Sequence, residues 1–458
     1  MRLPKLPHIR TKKWRLLRQA LRRQVFKAFQ PANQCVVRRH TQSGFYAQPA
    51  KHSVLFLHNS YYHFYYLAQA LRRRGWDALL VCTENPDSSD SLFYHGEDLN
   101  LYHPDPVQFG LNLAYLTQLA TERYGWVHFA NDVNGMRQEP FQAQPPAEFI
   151  TWKNAGVRLA YTITGCNSGI TQTALAHWSR QGLGFSVCDK CKWQNRPDVC
   201  HDDRSRHWKQ LMETYADIIF AEGLPALDLH QCGHSVREPV TMVLDPVLWR
   251  PNLPIPPEFT EAKQPDELLI YHGMGNYQLR TREDGVNIKG TPHIVRAVEQ
   301  LQAEGYPVRF IFRSHMWNKH VRYIQAQADV IVDQLNLGRY GATAREGMML
   351  GKPVICCINP YEANPKDILH SLTEAPLVHA TEETIYAVLK ALLDDPAQRR
   401  ALGEAGRHYA LKWHSADSGA MRYEALLNQV ASGQALQHPP TWEYTEPTIR
   451  TATLAQTV

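Results

Sequence analysis

The chain reads as an α/β protein made of two doubly wound halves joined by a linker, and three features of its 458 residues carry that reading. The first is the run VLFLHNSYYHFYYLAQALRRRGWDALLVC after Ser53: a short apolar stretch, a loop, helical spacing, a Gly turn and a second apolar stretch. Short runs that are apolar on both faces suit a parallel sheet covered by helices. The second is that the same alternation begins again near residue 268. The third is the stretch from Pro251 to Pro265, whose five prolines favour neither helix nor strand and mark a linker.

Each half can be followed in order. In the first, WVHFA at 126–130, VRLAYTIT at 157–164 and ADIIFA at 216–221 read as further strands between helical segments. In the second, LLIYH at 268–272, VRFIF at 308–312, ADVIV at 328–332 and PVICCI at 353–358 do the same, with TPHIVRAVEQLQAEG as a helix. The expected division is 1–50 as a basic N-terminal segment, 51–250 as the N-terminal domain with a Cys-rich insertion at 166–201, 251–265 as linker, 266–432 as the C-terminal domain and 433–458 as a tail without a periodic apolar face.

Hydrophobic residues make up 44% of the chain and charged residues 20%, enough apolar surface to exclude an intrinsically disordered protein. No run reaches the roughly 18 apolar residues of a membrane-spanning helix, and no secretory segment is visible, so a cytoplasmic location is expected. The formal charge of +5 is uneven. Residues 1–76 hold 16 Lys or Arg and no acidic residue, leaving 33 basic against 44 acidic residues afterwards. Trp14, Leu17, Leu21, Val25 and Phe29 repeat at helical spacing among Arg and Lys, a basic amphipathic pattern. Residues 1–30 are thus expected to dock on an anionic membrane surface, on its inner face, or to pack on the protein, with an organelle transit peptide as a further alternative. No nucleic-acid partner is expected.

The nine cysteines are an odd number in a large chain, which suits a reduced compartment. Cys188, Cys191 and Cys200 follow a Cys-x2-Cys-x8-Cys spacing, with Cys166 upstream and His201 adjacent. Thiolates at that spacing suit a structural zinc ion, with Cys166 ahead of His201 as fourth ligand, while a redox pair or plain buried thiols are the alternatives.

The segment ADVIVDQLNLGRYGATAREGMMLGKPVI, 328–355, runs from a strand through a Gly-containing loop into a helix. Such a turn aims backbone N–H groups at an anion above the strand ends. Asp333 and Gln334 stand in the loop as polar groups facing a ligand.

This segment resembles the signature of the retaining, nucleotide-sugar-dependent glycosyltransferases of the GT-B fold, in a family-4-like form. Ala328 and Asp329 match its start, Tyr340 and Gly341 its aromatic-Gly pair, Glu346, Gly347 and Met348 its second Glu, and Gly351, Pro353 and Val354 its end. The first Glu of that signature falls at Gly338 here. Lys289 and Gly290 resemble the family's Lys-Gly segment, and VLDPVLWRP at 243–251 its approach to the linker. In many members a His follows a strand near the acceptor; YTITGCNSG offers Thr164 instead.

The resemblance implies two Rossmann-like domains facing a central cleft. It implies a nucleotide-sugar donor held by the C-terminal domain and a glycan or lipid-linked acceptor. Lys289, with Arg282 preferred over Arg280, would oppose the diphosphate, so no catalytic metal is expected; Glu346 would accept from ribose hydroxyls, and Gly290, Tyr340, Gly341, Ala342 and Thr343 would border the donor. A nucleotide-sugar epimerase and a non-catalytic scaffold on the same fold are the alternative readings.

Overall fold

The computed structural model describes residues 52–57, 61–130, 146–166, 169–194, 196–197, 199–222, 233–362 and 369–437. The basic amphipathic segment and most of the tail lie outside the described residues.

In the first domain β1 (Ser53–Leu57), β2 (Asp77–Cys82), β3 (Leu99–Asn100), β4 (Trp126–Ala130), β5 (Arg158–Thr162), β6 (Ile218–Phe220) and β7 (Ser235–Val236) form one sheet in the order β3-β2-β1-β4-β5-β6-β7. Every pairing is parallel, with Val54 opposite both Ala78 and Trp126. All five residues of β1 and of β4 are buried, as the two-sided apolar runs require. The chain crosses over between β1 and β4, which opens a crevice above their carboxyl ends.

In the second domain β8 (Leu268–Gly273), β9 (Val308–Arg313), β10 (Val330–Val332) and β11 (Val354–Ile355) form a parallel sheet in the order β11-β10-β8-β9. Its switch lies between β8 and β10, so the loops after these strands open a second crevice. Asp333, Gln334 and the Gly-containing loop sit there.

The last helix among the described residues, Ala416–Ala431, returns to the first domain. Its Tyr423 stacks on His128 of β4 with centroids 5.5 Å apart and accepts or donates a 2.8 Å hydrogen bond there, while Glu424 receives the indole N–H of Trp76 at 3.1 Å. Outbound and returning chains run side by side, because Leu244 bridges Ser415. The halves are therefore tied at two places in the sequence, with the carboxyl edges of both sheets lining one cleft.

Candidate functional site

A cavity of about 670 Å³ occupies this cleft, lined from the first domain by Tyr61, His63 and Thr164 and from the second by Lys289, Asp333 and Glu346. Two of its lining residues, Tyr61 and His315, hold left-handed backbone angles, φ 55° and 54°. Non-glycine residues in that region cost about 1–3 kcal/mol each and gather at functional sites.

Asp333 follows β10 and is fully buried. Its Oδ1 accepts from Lys289 Nζ at 2.8 Å and its Oδ2 from the Gly341 amide at 2.6 Å; Lys289 Nζ also donates to Thr343 Oγ1 at 3.3 Å. A buried carboxylate is costly unless paired and hydrogen-bonded, and here it is both. The pair fixes the Lys289 ammonium over the start of the helix Ala342–Met349. One of the three ammonium protons is left for a ligand, and the first amides of that helix, at Ala342 to Ala344, have no intrahelical acceptor. The corner therefore presents a cation and backbone dipoles to an anion.

Gly290 caps the neighbouring helix Thr291–Ala303 at φ +71°, and a Cβ there would lie 2.9 Å from Leu335 Cβ. The glycine thus seats the Lys289 segment against the loop after β10. His272 supports the same corner: its Nδ1 donates to the Val332 carbonyl at 2.9 Å and its Nε2 accepts from Thr291 Oγ1 at 2.9 Å. Burial, then the Lys289 charge, lower its pKa to about 4.

Gln334 holds the loop's shape. Its amide nitrogen donates to the Arg339 and Cys357 carbonyls, both at 2.8 Å, and its oxygen accepts from the Asn336 amide at 2.9 Å. The Tyr340 hydroxyl meets Tyr409 at 2.7 Å and His414 at 3.1 Å, and burial pushes its pKa up to about 12. Arg282 turns out of the cavity: it donates to the Asp189 carbonyl at 2.7 Å and pairs with Asp284. Arg280 borders the cavity in its place, as do Arg313 and Arg345.

Glu346 is 2% exposed and already holds three donors: Tyr62 Oη at 2.7 Å and Asn318 Nδ2 at 3.2 Å on Oε1, and Gln325 Nε2 at 2.7 Å on Oε2. A hydrogen-bonded chain continues into the first domain. Asn318 Oδ1 accepts from His95 Nε2 at 2.7 Å, and His95 Nδ1 accepts from Tyr66 Oη at 2.6 Å. Burial lowers the His95 pKa to about 3 and keeps the ring neutral. His63 is also held neutral, first by burial and then by the nearby Arg345. Tyr62, Tyr66, His95, Asn318 and Gln325 were not anticipated from the sequence.

Gly338, where the resemblance expects Glu, lies at φ +78°, and a Cβ there would meet Trp178 Cη2 at 2.7 Å and Asn359 Cβ at 2.8 Å. Trp178 belongs to the first domain, donates to the Tyr361 carbonyl at 3.0 Å and lies under the Arg339 guanidinium, 4.8 Å from its ring centroid. An indole from the opposite domain thus fills the space beside the loop.

No family model and no curated protein matches the chain. Among solved structures, sucrose-phosphate synthase from Thermosynechococcus elongatus is similar to 84% of this chain over 100% of its own, with a TM-score of 0.50 and 15% identity. A glycosyltransferase from Rickettsia africae has a TM-score of 0.49 at 10% identity, covering 84% of this chain and 100% of its own. The catalytic domain of starch synthase IV from Arabidopsis thaliana has 0.47 at 11%, covering 83% and 99%. The likeness to the first of these agrees with the architecture described above, two Rossmann-like domains facing a cleft. The chain has the GT-B fold.

Proposed function

We propose that this chain is a glycosyltransferase that moves a sugar from a nucleotide-activated donor to an acceptor hydroxyl. The observation that carries the proposal is the Lys289–Asp333–Gly341 corner, where an ammonium held by a buried carboxylate stands over a helix start at the switch of the second sheet. A leaving diphosphate gains negative charge as the glycosidic bond breaks. Lys289, the amides of Ala342 to Ala344 and Arg280 at the cavity border would oppose that charge.

Glu346 would receive ribose hydroxyls in exchange for Tyr62 and Asn318, which requires the Tyr62 side of the cleft to draw back. Retention of configuration rests on the resemblance of residues 328–355 alone. The acceptor would enter from the first domain beside Tyr61 and Thr164; a glycan or lipid-linked acceptor, with residues 1–30 on the inner face of an anionic membrane, is the reading the basic segment supports.

One observation favours a non-catalytic scaffold instead: Glu346 is already satisfied by three protein donors. Incubation of the protein with a panel of nucleotide sugars, with and without acceptor mixtures, separates the readings. Release of free nucleotide that depends on acceptor supports transfer. Epimerisation without acceptor, or no turnover with any donor, contradicts it.

A further inference from the structure

Outside the donor corner, one cluster of reactive side chains has no part in the reading above. Cys166 lies beyond β5, Cys188 in the one-turn helix Val187–Lys190, Cys191 just after it and Cys200 before the helix Asp202–Tyr215. None of the four is in a disulfide, and all line the first-domain wall of the cleft. Two of them meet at Gln172: Cys188 Sγ donates to its carbonyl at 3.8 Å and Cys200 Sγ to its side-chain oxygen at 3.6 Å. Cys191 Sγ accepts the Trp193 amide at 3.4 Å, and backbone N–H groups aimed at sulfur stabilise a thiolate.

Four thiols along one wall would ionise together around a divalent cation, whose own charge dominates the local electrostatics.

We propose that Cys166, Cys188, Cys191 and Cys200 bind one zinc ion as four thiolates, and that this ion holds the loop between the domains. Each thiol gives its proton to solvent as its Zn–S bond forms, so the site carries two net negative charges. Arg280 borders the same cavity as the four thiols and would face that charge. Among the described residues no three such groups already surround one point as ligands, so binding draws the sulfurs inward by side-chain rotation and local loop movement.

The loop carrying Cys188 and Cys191 clasps the second domain at three points. Lys190 Nζ pairs with Glu382 at 2.6 Å, the Asp189 carbonyl accepts from Arg282 at 2.7 Å, and Lys192 Nζ donates to the Gln278 carbonyl at 2.9 Å. An ion that orders this loop therefore sets how one wall of the cleft meets the other.

The full chain, expressed with zinc in the medium and purified without chelator, should contain about one zinc per molecule by elemental analysis. After removal of zinc, titration with Co2+ should develop the absorption of a tetrahedral thiolate complex that saturates at one equivalent. Cys188→Ser and Cys200→Ser should lose zinc and that band, whereas Cys82→Ser, in β2, and Lys190→Ala should keep both. Should the serine variants fail to fold, the same titration on the stripped wild-type chain decides the matter. Protein without zinc that gives no cobalt–thiolate band, or a variant lacking all four thiols that still holds one zinc, would overturn the proposal, and neither outcome bears on nucleotide-sugar binding.

Discussion

Tyr62 of the first domain donates its hydroxyl proton to Glu346 Oε1 of the second across 2.7 Å, with both side chains buried. The contact ties the segment after β1 to the helix that follows the Gly-containing loop. It also occupies the carboxylate expected to receive ribose hydroxyls, so closure of the cleft onto itself competes with closure onto a ligand.

Tyr62→Phe removes this competitor while keeping the ring. A hydrogen bond to a charged group contributes about 1.5–3 kcal/mol, so removing this donor, with Asn318 left on Oε1, should tighten nucleotide-sugar binding about tenfold, as read by calorimetry. Unchanged affinity would mean that the donor does not use Glu346.

Lys289→Ala should do more than weaken donor binding. It leaves Asp333 fully buried without its cation, and breaking a buried pair from one side costs about 3–5 kcal/mol. The single variant should lose most of its thermal stability, and Lys289→Met combined with Asp333→Asn should regain much of it. Equal melting temperatures for the single and double variants would show that the pair is not coupled.

Gly338→Ala should destabilise the chain by about 1–3 kcal/mol in denaturant titrations, because φ +78° strains any L side chain and the new Cβ meets Trp178 and Asn359. Trp178→Ala is destabilising by itself, by about 3–5 kcal/mol, but the double variant should lose less than the sum of the two single losses, because the collision is gone and only the backbone strain remains.

Stability should depend on pH through the buried histidines. His95, His272, His63, His128 and His414 are all held below their ordinary pKa by burial, His95 to about 3 and His272 to about 4. The unfolded chain binds protons near pH 6.5 that the folded chain refuses. Their stabilising contribution is therefore fully present above pH 6.5 and is lost as pH falls toward the folded values, by up to about 1.4 kcal/mol per pH unit for each ring. Denaturation midpoints measured from pH 8 to pH 4 should be flat at first and then fall; a rise on acidification would contradict the assignment.

Much of the architecture was legible because it is written in local patterns. The strands VLFL and WVHFA are apolar on both faces, which only a covered parallel sheet accommodates, and Lys289 and Asp333 flank recognisable strand-helix turns. Contacts between the domains were not legible, because no periodicity links residues almost 300 positions apart. Tyr62 sat in the aromatic run YYHFYY with nothing to single it out from Tyr61 or Tyr65. Arg282 and Arg280 could not be separated by spacing either: the turn around Asp284 directs the first toward the Cys-rich loop, while the second borders the cavity. Gly338 was visible as a departure from the signature, but its cause, an indole supplied by the other domain, was not.

Binding of a nucleotide sugar through the Lys289 corner of the cleft is tested most directly by thermal denaturation of the wild-type chain and of the Lys289→Met/Asp333→Asn variant across a panel of nucleoside diphosphates and nucleotide sugars. A ligand at 100 times its dissociation constant stabilises by about 2.7 kcal/mol. At least one nucleotide sugar should raise the wild-type midpoint accordingly and leave the variant's unmoved; a wild-type chain indifferent to every nucleotide, or a variant stabilised as much as the wild type, would contradict the account.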